Sequence, residues 1–119
     1  MKIFIVDDNQ RIRKLIKKHL DQLCFSFEIY EFENGENALH NFQYYHPDII
    51  LMDIMMKEMD GFTTTREIRK LSTDVKIIIV TQLPEEEYRE EALNQGANNF
   101  INKENLSLLE NMIKNFIKT

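Results

Sequence analysis

The sequence predicts an α/β domain: a five-stranded parallel sheet in the order 2-1-3-4-5, doubly wound with five helices. Three observations indicate this fold. Five short apolar runs alternate along the chain with five segments of helical periodicity, as in parallel sheets with crossover helices. At 119 residues the chain fits one domain, residues 1–119, large enough for a buried core. Right-handed crossovers leave few topologies, and the doubly wound order is the natural one among them.

The overall composition argues against several classes of function. The net charge of −5 provides no basic surface, so this domain is not expected to contact nucleic acid directly. No apolar stretch approaches the length of a membrane span, and the chain starts without a signal-peptide pattern. The single cysteine, Cys24, excludes an internal disulfide and, between Leu23 and Phe25, is expected to be buried. We therefore expect a cytoplasmic protein with no membrane contact.

Two strand–helix pairs make up the first half of the chain. The apolar run 3–6 predicts the first strand. An amphipathic helix with a basic outer face comes next, because apolar residues recur at helical spacing: Ile12, Leu15, Ile16, Leu20 and Leu23. Residues 27–32 predict a second strand, which ends at the turn signal Asn34-Gly35. A second helix over 36–45 is expected to bury Ala38, Leu39 and Phe42.

The central strand is the apolar run 49–52, which comes after Pro47-Asp48 and ends at Asp53. Four consecutive apolar residues are typical of a strand that is buried on both faces. An irregular loop over 54–61 leads to a third helix over 62–71. The apolar contacts of that helix are expected to be Phe62, Ile68 and Leu71.

The last third of the chain repeats the strand–helix pattern twice. Residues 75–80 predict the fourth strand. Pro84 is expected at the first position of the fourth helix and Gly96 just past its end, with a thin apolar stripe between them. A short strand, Phe100-Ile101, precedes a strongly amphipathic final helix, which is expected to bury Leu106, Leu109, Ile113 and Phe116.

Polar residues stand where four of the predicted strands end. The first strand ends at Asp7-Asp8, the third at Asp53 and the fourth at Thr81, while the fifth runs through Asn102 to Lys103. Parallel strands share one carboxyl edge, and strands one and three flank the switch point where such sheets bind ligands. These side chains are therefore expected to converge at one edge of the sheet.

The chemistry of this set indicates phosphoryl transfer. Three neighbouring carboxylates raise one another's pKa, and a divalent cation removes that conflict. Carboxylate oxygens with retained water are typical ligands of Mg²⁺ at sites that handle phosphoryl groups. An ammonium and a hydroxyl add donors for phosphoryl oxygens. With metal, ammonium and hydroxyl around it, Asp53 is the expected site of an aspartyl phosphate.

The same residues carry a resemblance to a known family. The matching motifs are Val6-Asp7-Asp8-Asn9, Leu51-Met52-Asp53, Met59-Asp60-Gly61, Val80-Thr81, and Gly96-Ala97 leading to Phe100-Ile101-Asn102-Lys103. With them the chain resembles the receiver domain of bacterial two-component response regulators over essentially its full length. The resemblance implies a flavodoxin-like receiver fold, whose known strand order is the one given above.

The resemblance also implies a phosphoacceptor and a metal site. Asp53 would accept a phosphoryl group from the phosphohistidine of a sensor histidine kinase or phosphotransfer protein. Asp8 would bind Mg²⁺ directly and Asp7 mainly through water. Asp53 itself and the backbone carbonyl of Met55 would complete the protein ligands. Beyond its phosphorylation and dephosphorylation, such a domain turns over no substrate, so an enzyme is not expected.

The remaining roles that the resemblance implies concern the switch. Thr81 and Lys103 would bind the phosphoryl oxygens, and Phe100 would be the aromatic residue whose rotamer depends on Thr81. The output is expected to be transcription, controlled through an attached or separate DNA-binding domain. Independently of the resemblance, Leu108 and Met112 are apolar residues beyond those that the core needs, and one hypothesis is a phosphorylation-dependent homodimer through helix 4, strand 5 and helix 5. The alternatives are that this strip packs against an output domain or is simply tolerated on the surface.

The chain departs from the family pattern in four respects. Lys57 stands where a proline is usual, and Glu104 comes after Lys103 where the family has a proline after a cis bond. A cis bond before a non-proline residue costs about 2.5–4 kcal/mol, so a trans bond is favoured and Lys103 could be placed differently. Gln82 is larger than the usual residue after the threonine and could hinder access to Asp53. The two positions that tune phosphoryl lifetime are apolar: Met55 and Leu83.

Two other functions are weighed against the switch. A single-domain phosphorelay protein, or a protein-binding regulator without DNA output, has the same site and differs only in the output that the domain controls. A flavodoxin-like enzyme is disfavoured, because a flavin carrier needs a phosphate-cradling loop where this chain has Asp7-Asp8. Related hydrolases need a second acid two residues after the nucleophile, and that position is Met55.

Overall fold

The computed structural model describes residues 1–117; Lys118 and Thr119, the last residues of the predicted domain, lie outside the described residues. The sheet order is β2-β1-β3-β4-β5 with every neighbouring pair parallel, which confirms the predicted fold. The elements are β1 (Lys2–Val6), α1 (Gln10–Asp21), β2 (Glu28–Phe32), α2 (Gly35–Tyr45), β3 (Ile49–Met52), α3 (Gly61–Leu71), β4 (Lys76–Thr81), α4 (Glu85–Asn94), β5 (Asn99–Asn102) and α5 (Leu108–Ile117), with a 3₁₀ turn, Lys103–Asn105, before α5.

The sheet separates two apolar layers, because successive side chains of a strand point to opposite faces. One layer contains Phe4, Ile50, Ile79 and Phe100 of the sheet, covered by apolar residues of α2, α3 and α4. The other layer contains their chain neighbours, which α1 and α5 cover: Ile3, Ile5, Ile49, Leu51, Ile78, Val80 and Ile101. Burial on both faces explains why these strands are continuous apolar runs.

Short polar side chains begin three of the helices at the edge where the strands end. Asn9 accepts from the backbone N–H groups of Arg11 and Ile12, Asn34 caps α2, and Asp60 caps α3 by accepting from Thr63 N–H at 2.8 Å. Pro84 precedes α4 as its N-cap residue and makes no side-chain cap bond, so the prediction that it occupies the first helical position is off by one residue.

Several helix residues lie on a different side from the one that the periodicity predicts. Arg13 is buried, whereas Leu15 is exposed. Leu71 and Leu93 are also exposed, and Thr64 and Thr65 take the buried positions on α3. The prediction that Cys24 is buried is likewise wrong, because the segment between α1 and β2 runs over the surface.

None of the helices within residues 1–117 combines the length and the apolar character that crossing a membrane would require.

Candidate functional site

The ends of β1 and β3 bring the predicted acids together. Val6 pairs with Met52 in the sheet, so Asp7 and Asp53 leave adjacent strands at the same level. One carboxylate oxygen from each of Asp7, Asp8 and Asp53 lies within 4.8 Å of the other two. Asp7 and Asp53 are buried and Asp8 is exposed, so the cluster opens toward solvent on the side of Asp8.

Lys103 places an ammonium between the two buried acids. Its Nζ is 2.9 Å from Asp7 Oδ2 and 3.3 Å from Asp53 Oδ2. The peptide bond between Lys103 and Glu104, which the sequence left open, is trans, and the Lys103 side chain nevertheless reaches both carboxylates. The family's cis-proline is therefore not required to bring this lysine to the site in this chain.

The environment of Asp53 disfavours its charge. Burial and, after it, the neighbouring Asp7 carboxylate raise the pKa of Asp53 to about 6, although Lys103 opposes both. Its Oδ1 accepts from the backbone N–H of Ile54 at 2.8 Å, which leaves Oδ2 toward Lys103. Gly61 packs against the Asp53 carbonyl so closely that a Cβ would overlap it, which is a steric reason for the glycine at this position.

Thr81 and Phe100 are both buried near this edge, but within residues 1–117 no hydrogen bond joins the Thr81 hydroxyl to Asp53. Thr81 Oγ1 instead accepts from the backbone N–H of Leu83 at 3.3 Å, in the loop between β4 and α4. Phe100 is 1% exposed and belongs to the core layer under α4, in the inward position. Thr81 therefore contacts the α4 side of the site in this arrangement.

An opening of about 180 Å³ leads to the carboxylates, lined by Asp8, Asn9, Asp53, Met55, Gln82 and Lys103. Gln82 stands at this opening, as predicted from its position after Thr81. Met55 is 58% exposed, so this apolar residue lies on the rim of the opening and not in the core. Access to Asp53 thus passes between a methionine and a glutamine.

Arg13 is a site neighbour that the sequence pattern places wrongly, on the basic outer face of α1. Its Nη1 donates to the backbone carbonyl of Asp7 at 2.6 Å, and its Nε donates to Glu31 on β2 at 2.9 Å. Spacing in the sequence could have indicated that Arg13 is buried, because Arg13 lies three residues before Ile16 and seven before Leu20, on the same helical stripe. The buried guanidinium is tolerated on this stripe because it is hydrogen-bonded to the Asp7 carbonyl and to the Glu31 carboxylate.

The residues present fit a divalent cation. Asp7 Oδ2 is buried and lacks a hydrogen-bond donor among residues 1–117, because Lys103 approaches it outside hydrogen-bond geometry. Three hard oxygen donors with room for water on the Asp8 side match the preference of Mg²⁺. Such a cation would bring the positive charge that one lysine cannot supply to three carboxylates.

Comparison with known proteins identifies the family. Residues 3–114 match the family model described as the response regulator receiver domain. The chain is a receiver domain. The solved structure of the BeF3-activated DrrB receiver domain superposes with a TM-score of 0.87 at 25% identity, covering 99% of this chain and 97% of that one.

Two curated relatives place the receiver domain in proteins of different length. The chemotaxis protein CheY of Halobacterium salinarum is 35% identical over 102 residues, which cover 85% of this chain and 82% of CheY. The regulatory protein AtoC of Escherichia coli K12 is 38% identical over 102 residues, 86% of this chain but only 22% of AtoC. Receiver domains are signalling domains, and they work with histidine kinases or phosphotransfer proteins.

Proposed function

We propose that this receiver domain is a cytoplasmic switch that accepts a phosphoryl group on Asp53 from a sensor histidine kinase or phosphotransfer protein. One observation carries the proposal: a buried carboxylate at the end of β3 has two acids within 4.8 Å and the Lys103 ammonium at 3.3 Å. Burial and a raised pKa mark Asp53 as a functional group rather than a strand-end residue exposed to water.

In the proposed reaction an oxygen of Asp53 forms a bond to phosphorus while the bond between phosphorus and the donor histidine nitrogen breaks. Lys103 stabilises the charge on the transferred oxygens, and Thr81 offers a neutral donor once its hydroxyl turns toward them. Asp7, Asp8 and the Met55 carbonyl would hold Mg²⁺ together with Asp53. When bound, the ion neutralises charge between the carboxylates and the phosphoryl group.

The proposed switch connects the site to α4. In the present structure Leu83 N–H donates to the Thr81 hydroxyl. A Thr81 that turns to a phosphoryl oxygen would release that bond, and Phe100, on the neighbouring strand, would move into the space that Thr81 leaves. The loop before α4 would then move with the change in the site.

The proposed output is transcription through a DNA-binding domain, either attached or separate. The small share of AtoC that the chain covers supports an attached output domain. The second candidate is a single-domain phosphorelay protein or protein-binding regulator, which the similarity to the chemotaxis protein CheY supports. The surface of α4, β5 and α5 is the proposed signalling face in both cases, because it includes the exposed apolar side chains of Leu93 and Leu108.

The phosphoacceptor is tested with Asp53→Asn. Incubated with a small-molecule phosphodonor and excess Mg²⁺, the wild type should acquire one acid-labile phosphate and the variant none, because an amide is not a phosphoryl acceptor. Asp60→Asn, which alters an acid at the start of α3, is the matched control and should still be labelled. Labelling of Asp53→Asn at the wild-type level would overturn the proposal.

The metal site is tested by titration with Mg²⁺. Affinity should fall by at least about tenfold in Asp8→Ala and by less in Asp7→Ala, because Asp8 is the proposed direct ligand and lies on the solvent side of the cluster. Equal affinities for the wild type and both variants would contradict the metal site.

A further inference from the structure

The carboxamide of Asn102 joins two loops that border the site. Asn102 ends β5, and the sheet register places it opposite Thr81, the last residue of β4. Its Nδ2 donates to the carbonyl of Leu83 at 3.0 Å and to that of Gln82 at 3.4 Å. Its Oδ1 accepts from the backbone N–H of Glu104 at 2.9 Å, at the 3₁₀ turn that begins with Lys103. One side chain therefore contacts both the β4–α4 loop and the lysine turn.

The Leu83 residue is held from two sides by this arrangement. Its N–H donates to Thr81 Oγ1 and its carbonyl accepts from Asn102. Leu83 lies two residues before α4, and Pro84 between them provides no side-chain cap bond. The position of the loop thus depends on a hydroxyl and an amide that belong to the ends of β4 and β5.

We propose that Asn102 is a positioning residue that holds the β4–α4 loop in its unphosphorylated arrangement. The inference rests on the proposed function, in which the Thr81 hydroxyl leaves Leu83 for a phosphoryl oxygen. A ligand shifts a two-state equilibrium only by its differential affinity for the two states. The Asn102 bonds stabilise the state in which Thr81 is turned away, and they lower the apparent affinity of the domain for a phosphoryl group.

The alternative is that Asn102 only caps the 3₁₀ turn and so supports Lys103. Two substitutions separate these roles. Asn102→Ser keeps a good capping acceptor for the Glu104 N–H but removes the amide donors that reach Leu83 and Gln82. Asn102→Ala removes both the cap and the donors. Asn105→Ser, an exposed asparagine of the same turn, is the matched control.

The experiment measures the affinity for beryllofluoride, a phosphoryl mimic, in the presence of Mg²⁺. Asn102→Ser should bind beryllofluoride about fivefold more tightly than the wild type does. The reason is that the substitution removes about one net hydrogen bond, and removes it from the unliganded state only. Asn105→Ser should bind like the wild type. In the absence of beryllofluoride, the Leu83 amide hydrogen should also exchange faster in Asn102→Ser, because the loop is held at one side only.

The outcomes distinguish the holding role of Asn102 from a capping role, and a failure of this inference from a failure of the proposed function. If Asn102→Ser binds beryllofluoride like the wild type and Asn102→Ala binds more weakly, Asn102 acts as a cap and the holding role is overturned. Unchanged exchange of the Leu83 amide in Asn102→Ser overturns it as well. A wild type that fails to bind beryllofluoride with Mg²⁺ contradicts the proposed function itself, and the inference falls with it.

Discussion

At the scale of single residues, Asp53 makes the metal-free protein sensitive to pH. An unfolded aspartate has a pKa near 3.8, and burial together with Asp7 raises that of Asp53 to about 6 in the folded protein. The folded state therefore binds the proton more tightly than the unfolded state does. The free energy of unfolding therefore falls as the pH rises from about 4 to about 6. At pH 7 the ionised Asp53 carboxylate lowers the stability of the folded protein by its full amount.

Asp53→Asn should remove this loss of stability, because an asparagine carries no charge. In metal-free buffer the free energy of unfolding of the variant should exceed that of the wild type by about 1–3 kcal/mol at pH 7, since one pKa unit corresponds to about 1.4 kcal/mol. The difference should shrink when both are measured at pH 4, where Asp53 is protonated. Urea unfolding at the two pH values measures it, with the exposed Asp21→Asn as control. An equal difference at pH 4 and pH 7 would show that the Asp53 charge is not costly.

At the scale of elements, α4 has fewer buried residues than the other helices of the described chain. Its one buried residue is Ala92, and Tyr88 stacks on Phe62 of α3 with ring centroids 6.4 Å apart. The pair Glu85–Arg89 is favourable at 3.4 Å, but Glu86–Glu90 and Glu87–Glu91 place like charges four residues apart. An element with so few anchors is suited to move when the β4–α4 loop is released.

The far end of α4 is tied down by Arg69 of α3. Its guanidinium donates to the backbone carbonyls of Gly96 at 2.7 Å and Val75 at 2.6 Å, and to the side chain of Asn98 at 2.7 Å. Asn98 in turn accepts from the Ile77 N–H of β4. The turn after α4 is thus fixed while the loop before α4 depends on the site, so α4 would pivot about its C-terminal end.

Arg69→Ala should therefore cost substantial stability. We expect the free energy of unfolding to fall by about 2–4 kcal/mol, because two backbone carbonyls lose a charged donor in a partly buried place. Arg66→Ala, one helical turn earlier with an exposed side chain, should change it by less than about 0.5 kcal/mol. Urea unfolding of both variants at pH 7 measures the effect. Equal losses of stability for the two variants would contradict the proposal that Arg69 fixes the turn after α4.

At the scale of the whole molecule, the face formed by α4, β5 and α5 is the proposed dimer interface. Leu108 is 49% exposed and Leu93 is 41% exposed, while Met112 is only partly covered by the core. Exposed apolar side chains beside a weakly anchored helix suit a contact that forms after phosphorylation.

Sedimentation with and without beryllofluoride tests the dimer. The wild type should be monomeric alone and dimeric with beryllofluoride and Mg²⁺, and Leu108→Glu should remain monomeric because a buried unpaired carboxylate is costly. Leu15→Glu, which changes a similarly exposed leucine on α1, should still dimerise. A mimic-bound wild type that stays monomeric at high concentration would exclude the dimer.

The sequence by itself determined the sheet and the candidate site. Continuous apolar runs are typical of strands that helices cover on both faces, and a parallel sheet brings all strand ends to one edge. That is why the strand ends alone were enough to place Asp7, Asp53 and Lys103 together. The missing proline favoured a trans bond before Glu104, because a cis bond there is costly, but only the structure decided it.

The tertiary structure decided which neighbouring positions are covered and which bonds the polar groups form. Periodicity marks a stripe on a helix, but the packing of α1 beside β2 selected Arg13, which finds Asp7 and Glu31 there, over Leu15. In the same way the Thr81 hydroxyl bonds to Leu83, and Asn102 spans two loops. These choices depend on groups distant in the chain, because a buried polar side chain is stable only where the fold supplies its partner.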